Sequence, residues 1–247
     1  MRYIDNQVTI IGAGPVGLLL AILLGQKGHE VVLVDRWQSI YDRPRAVTMD
    51  AEVARILASL GIDCDSDPAF ENHQELYYWK NADLQDLQIV DWESVAPCGW
   101  HVTYWFNQPE FEARLMSMAE ASESITILRG WQAIKLLNGD NGVAVELLQT
   151  PEIFGPDGDR CTLRSQYLVG ADGANSFVRE ALGSPIIDRG YFFDWLILDM
   201  IPHADYKMSP AQWQLCDPKR PTTLVPGGPG RRRWEFMVLP DEDPNEI

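Results

Sequence analysis

Val8-Thr9-Ile10-Ile11-Gly12-Ala13-Gly14-Pro15-Val16-Gly17 is the stretch that decides the fold. Val8 to Ile11 reads as a short strand of the kind parallel sheets cover on both faces. Gly12 to Gly17 is a turn with the spacing G-x-G-x-x-G. Val16 to Lys27 reads as a helix, with Gly28 as its stop signal. Val31 to Val34 is a second buried strand, and Asp35 ends it. The whole is a βαβ unit.

The glycine pattern alone is a weak signal. It gains weight from following a strand and opening a helix. Gly12 makes the tight turn, Gly14 lets the backbone approach a pyrophosphate, and Gly17 lets helix and strand pack closely. Pro15 suits the first helical turn. The helix N-terminus offers free N–H groups and a partial positive charge to phosphate oxygens. Asp35 lies 23 residues after Gly12. A carboxylate there accepts hydrogen bonds from both ribose hydroxyls and repels a 2′-phosphate. The unit therefore predicts a dinucleotide with an unphosphorylated ribose, and FAD or NAD remain open at this point.

The rest of the chain bounds the possibilities. It has 247 residues and a net charge of −16. So acidic a surface disfavours nucleic acid, which needs a basic footprint, and anionic lipid. Ile10 to Gly25 carries no charge. The run is shorter than the ~20 apolar residues of a spanning helix, and no basic region precedes it beyond Arg2. No membrane partner is expected. Cys64, Cys98, Cys161 and Cys216 are scattered without zinc-type spacing, and the four histidines, His29, His73, His101 and His203, lack ligand spacing, so no metal site is expected. Four isolated thiols fit a reducing cytoplasm.

Downstream the texture alternates. Asp50 to Leu60 has helical spacing, with Asp50 as N-cap. Tyr77, Tyr78, Trp79, Trp92, Trp100, Tyr104 and Trp105 crowd a strand-like stretch. Pro109 to Glu120 returns to helix. Thr126 to Leu128, Ala144 to Leu148 and Tyr167 to Val169 read as strands, with a turn at Asn138-Gly139 and Asn141-Gly142. β-rich texture resumes after Gly183. The expected fold class is α/β. A Rossmann-like nucleotide domain (1–69 and 107–182) is interleaved with a β-rich substrate domain (70–106 and 183–247).

Three further segments carry a resemblance. Arg43-Pro44-Arg45-Ala46 precedes Asp50-Ala51-Glu52-Val53-Ala54-Arg55. Asn107-Gln108-Pro109 precedes a helix. Val169-Gly170-Ala171-Asp172-Gly173-Ala174-Asn175-Ser176 follows an apolar strand. Together with the glycine turn they resemble the FAD-dependent aromatic-ring monooxygenases of the p-hydroxybenzoate hydroxylase-like superfamily. The texture is closest to the 3-(3-hydroxyphenyl)propionate hydroxylases.

The resemblance implies FAD as cofactor and NADPH or NADH as transient co-substrate. It implies O2 transfer to a phenolic aromatic acid through a C4a-hydroperoxyflavin, and a possible homodimer at full length. Asp35 would hold the ribose, and Arg36 would lie by the adenosine. Arg45 and Gln108 would reach the flavin side and the pyrophosphate, and Asp172 would serve the pyrophosphate region. His101 and Tyr104 are candidates for taking the phenol proton. Arg231 to Arg233 suit a solvated strand edge, or a carboxylate of the substrate.

One departure stands out. The family returns to its FAD domain with a Gly-Asp motif, and no such segment follows an apolar strand here. The chain is therefore expected to be an N-terminal part with weak or absent FAD retention, and a catalytically incompetent nucleotide-binding fragment stays open. So does a flavoprotein of the same fold with other oxidative chemistry, although the W-x-W-x-I-P signature of halogenases is absent.

Overall fold

The structure is a computed structural model. It describes residues 2–72, 75–139, 142–155, 157–190, 192–203, 210–243 and 246. His73 and the expected turn residues Asp140 and Asn141 lie outside the described residues.

The chain opens with β1 (Arg2–Ile11), α1 (Pro15–Gln26) and β2 (Val31–Asp35). There follow β3 (Thr48–Asp50), α2 (Ala51–Ser59), β4 (Phe70–Asn72), β5 (Tyr77–Lys80), β6 (Asp86–Val90) and β7 (Thr103–Phe106). Next come α3 (Gln108–Glu120), β8 (Ile125–Arg129), β9 (Trp131–Gly139), β10 (Gly142–Gln149), α4 (Pro151–Phe154), β11 (Arg160–Gly170) and α5 (Phe177–Ala181). The last described elements are β12 (Trp195–Met200), β13 (Trp213–Leu215), β14 (Thr222–Pro226) and β15 (Arg232–Met237). These elements form two compact units, Met1–Arg43 with Pro109–Ile187 and Pro44–Gln108 with Asp188–Ile247.

In the first unit the strand order is β8-β2-β1-β11-β10-β9. β8, β2, β1 and β11 run parallel, while β10 and β9 add antiparallel. That is the doubly wound arrangement expected from the βαβ reading. Val31 to Val34 are all buried, as a central strand covered on both faces must be. The core gathers Ile11, Val32, Val34, Val145, Leu147, Leu163 and Val178.

Two strands run longer than their apolar centres predict. β1 begins at Arg2 and β11 spans 11 residues, paired in one register from Arg2↔Cys161 to Ile11↔Gly170. Their outer parts carry polar residues such as Asp5, Asn6, Arg160 and Arg164, so no apolar run marks them. Mutual backbone pairing extends them instead.

In the second unit one sheet has the order β12-β15-β14-β13-β5-β6, and a smaller sheet has β3-β7-β4. The aromatic stretch largely builds its core. Tyr77 and Trp92 stack at 4.4 Å, and Trp92 meets Trp105 at 5.9 Å. Tyr104 and Trp105 are fully buried.

The solvated edge expected at Arg231 to Arg233 is corrected here. β15 is an inner strand, paired with β12 on one side and β14 on the other. Arg233 is only 1% exposed. A charge on an inner strand must be paired within the protein, and it is.

Candidate dinucleotide site

Three sequence-predicted features meet at the C-terminal ends of adjacent parallel strands, where doubly wound sheets bind ligands. The Gly12 N–H donates to the Val34 carbonyl at 2.7 Å, and the Ala171 N–H donates to the Ile11 carbonyl at 2.7 Å. The turn after β1 is thereby tied to the ends of β2 and β11. Gly12 has φ +106°, and a Cβ there would stand 2.3 Å from the Ala171 carbonyl oxygen. A Cβ on Gly17 would stand 1.9 Å from the Gly12 oxygen. Both positions need glycine for close backbone approach.

Gly14 is different. It is the N-cap of α1, Pro15 follows at the first turn, and no side chain caps the helix. Nothing lies within 4 Å of where a Gly14 Cβ would be. The helix N-terminus thus faces space that the protein itself leaves open. Uncapped N–H groups, no acidic residue in the first turn and that space together fit a pyrophosphate.

Asp35 spans two loops. Its Oδ2 accepts from the Ala13 N–H and its Oδ1 from the Trp37 N–H, each at 2.8 Å. Each carboxylate oxygen accepts more than one hydrogen bond, so ribose hydroxyls can still be received. Arg36 is exposed with its guanidinium 5.0 Å from the Trp37 ring centre, and Thr150 Oγ1 donates to its carbonyl at 2.6 Å.

The Asp172 carboxylate turns toward its own loop. Oδ1 accepts from the Ser176 hydroxyl at 2.5 Å and Oδ2 from the Val178 N–H at 3.1 Å. Ser176 in turn accepts from the Arg179 N–H, and Arg179 Nη1 donates to the Ala174 carbonyl at 2.7 Å. Asp172 and Arg179 therefore shape the loop from Ala171 to Ser176, and Arg179 is more than a surface cation.

In the second unit Gln108 begins α3 and reaches back to an earlier loop. Its Oε1 accepts from the Arg45 N–H at 3.0 Å and the Ala46 N–H at 2.7 Å. Gln108 is buried, whereas Arg45 and Ala46 are exposed. From the opposite side Arg233 donates to the carbonyls of Pro44 and Arg45. Sequence reasoning missed Arg233, which holds this loop, and its partner Asp199.

His101 and Tyr104 lie together, ring centres 6.1 Å apart. The Tyr104 hydroxyl donates to Asp65 Oδ1 at 2.7 Å and accepts from the His101 N–H at 3.0 Å. Burial, and then the hydrogen bond to Asp65, push its pKa above the ordinary tyrosine range. A phenol so held keeps its proton. His101 Nδ1 lies 3.3 Å from the Glu93 carbonyl and Nε2 lies 4.0 Å from Asp65 Oδ1.

A family profile described as "FAD binding domain" matches residues 5–246. The chain belongs to the FAD-binding-domain family. Among its relatives is a "Probable NADH-specific resorcinol 4-hydroxylase" of Rhodococcus jostii (strain RHA1), 33% identical over 94% of this chain and 42% of that protein. A "3-(3-hydroxy-phenyl)propionate/3-hydroxycinnamic acid hydroxylase 1" of Burkholderia vietnamiensis (strain G4 / LMG 22486) is 34% identical over 100% of this chain and 38% of that protein. The chain thus spans about two fifths of the length of these relatives.

Solved structures share the fold. The p-nitrophenol 4-monooxygenase PnpA of Pseudomonas putida DLL-E4 superposes with a TM-score of 0.77 at 21% identity, covering 100% of this chain and 60% of that one. Aklavinone-11 hydroxylase, solved with FAD and aklavinone, gives 0.76 at 24% identity, covering 98% and 48%. Among the described residues no helix of this FAD-binding-domain chain is long and apolar enough to cross a membrane.

Proposed function

We propose that this FAD-binding-domain chain serves an NAD(P)H-consuming monooxygenase that hydroxylates a phenolic ring. The observation that carries the reading is the convergence of the Gly12–Gly17 turn, Asp35 and the Asp172 loop at neighbouring strand ends. The α1 N-terminus receives the pyrophosphate, Asp35 the ribose hydroxyls, and Arg36 lies by the adenosine. The loop from Ala171 to Ser176 is held in shape by Asp172 beside that turn. Arg45, on a loop anchored by Gln108, offers a charged fork suited to phosphate and the polar edge of a flavin.

Bound FAD supplies hydride acceptance and the activation of O2. The overall balance is NAD(P)H, one proton, O2 and an aromatic C–H going to NAD(P)+, water and a ring hydroxyl. The protein's own task is to bind, orient and keep water out. The two relatives are named for resorcinol and for a 3-hydroxyphenyl acid, and both names describe a phenol with a substituent meta to its hydroxyl. We extend that substrate class to this protein. His101 is the better candidate to take the phenol proton, because the Tyr104 hydroxyl is committed to Asp65. Four cysteines scattered along the sequence without paired spacing support a reducing cytoplasmic setting.

The test is a titration of the purified protein with FAD, followed by NADH and NADPH oxidation assays with resorcinol and 3-(3-hydroxyphenyl)propionate. Weak but saturable FAD binding is expected, with phenol-dependent oxidation and a hydroxylated product at saturating FAD. FAD binding with phenol-independent oxidation and no product would sink the monooxygenase reading and leave a nucleotide-binding module. Failure to bind FAD would sink the cofactor assignment as well.

A further inference from the structure

We propose that Arg233, oriented by Asp199, is a positioning residue that fixes the backbone of the loop carrying Arg45. The use of that loop at the cofactor rests on the function proposed above.

Arg233 and Asp199 are direct cross-strand partners on β15 and β12. Arg233 Nε donates to Asp199 Oδ1 at 2.8 Å and Nη2 donates to Oδ2 at 2.9 Å. This two-pronged pair holds the plane of the guanidinium. The remaining N–H groups are thereby aimed. Nη2 donates to the Pro44 carbonyl, and Nη1 donates to the Arg45 carbonyl at 3.0 Å. Glu235 Oε1 adds a second negative charge 3.7 Å from Nη1.

Gln108 completes the grip by accepting from the N–H groups of Arg45 and Ala46. Donor and acceptor groups of residues 44–46 are thus bound by two side chains, each no more than 5% exposed. Exposed loops ordinarily leave such groups to water. Here the backbone is built to stay still while Arg45 itself remains exposed. A fixed loop spares the ordering entropy that a mobile one would spend on binding.

The geometry also says why arginine is needed. A lysine presents one charged nitrogen, and it cannot grip a carboxylate with two prongs while reaching two carbonyls. Asp199→Asn keeps the size but removes the charge that sets the guanidinium plane.

The experiment measures amide hydrogen exchange in FAD-free protein, together with FAD affinity. It compares the parent with Arg233→Lys and Asp199→Asn, and the second variant retains the arginine should the first fail to fold. Exchange in the segment 41–48 should rise about tenfold, while segments from β1, α1 and β2 stay unchanged. FAD affinity should fall about tenfold. Unchanged exchange in 41–48, or a rise of equal size throughout the protein, would overturn the clamp. Faster exchange in 41–48 with unaltered FAD affinity would overturn its role toward the cofactor. A parent that fails to bind FAD counts against the proposed function, and exchange still decides the clamp.

Discussion

The carbonyl oxygen of Ala171 stands 2.3 Å from the point where a side chain on Gly12 would begin. The glycine turn after β1 and the loop after β11 are therefore one packed unit, although about 160 residues separate them in sequence.

Alanine at the three turn glycines should separate packing from ligand binding. Gly12→Ala and Gly17→Ala drive a Cβ into backbone and should each cost on the order of 2–3 kcal/mol of stability. Gly14→Ala meets nothing within 4 Å. A slightly poorer N-cap is offset by a stiffer unfolded chain, so stability should change by less than about 1 kcal/mol. FAD affinity should nevertheless fall about tenfold, because the methyl group occupies the phosphate approach. Denaturant melts and FAD titrations of the three variants check this. A Gly14→Ala protein that binds FAD like the parent would remove Gly14 from the site.

Asp172→Ala should loosen the start of α5. It strands the Ser176 hydroxyl and the Val178 N–H, which both depend on that carboxylate. The expected loss is about 1–2 kcal/mol, read from the midpoint of urea unfolding. Asp172→Asn keeps one acceptor and should lose less. Equal losses in the two variants would show that the carboxylate does not organise the loop.

Two tyrosines should resist alkali. Burial, helped by the Glu235 charge, pushes Tyr77 up to about 12, and Tyr104 is raised beyond the ordinary range. A raised folded pKa means that the native state holds the proton more tightly than the unfolded chain. The associated stability is complete below the unfolded value of about 10 and is lost as pH rises through the folded value. Phenolate absorbance at pH about 11 should therefore show both rings still protonated in native protein and ionised on unfolding. Tyr104→Phe should flatten part of the alkaline loss of stability. Full ionisation of every tyrosine at that pH without unfolding would contradict the buried hydrogen bond to Asp65.

At the acid end the sign reverses. The Arg220 guanidinium, bonded to both Glu242 oxygens, holds the Glu242 carboxyl down to about 2, helped by the Leu239 N–H. Its stabilisation is present above the unfolded glutamate pKa of about 4.3 and disappears as pH falls through about 2. Glu242→Gln should flatten the stability profile within that window and leave the neutral limb parallel to the parent. High salt should shrink the difference, since the pair is solvent-accessible. A profile with unaltered acid slope would discount the pair.

The candidate site was legible in parts. Gly12, Gly14, Gly17 and Asp35 announce themselves because a strand, a turn and a helix in immediate succession leave a local signature. Gln108 stood out in the sequence as a candidate, but the loop it holds did not. Its side chain holds backbone 62 and 63 residues away, which no local pattern announces. Arg233 was read wrongly, because three consecutive arginines look like a solvated edge until the strand order is known. The lengths of β1 and β11 were underestimated for a related reason, since their polar ends are held by each other rather than by an apolar pattern.

The sequence by itself determined the glycine turn between strand and helix, the acid that follows it and the α/β class. Glycine stereochemistry and hydrophobic periodicity act over a few residues and need no distant partner. Only the tertiary structure decided which arginine of the run is buried, that Asp199 faces it, and that both serve the Arg45 loop. Those facts depend on cross-strand register, which the packing of the whole sheet sets.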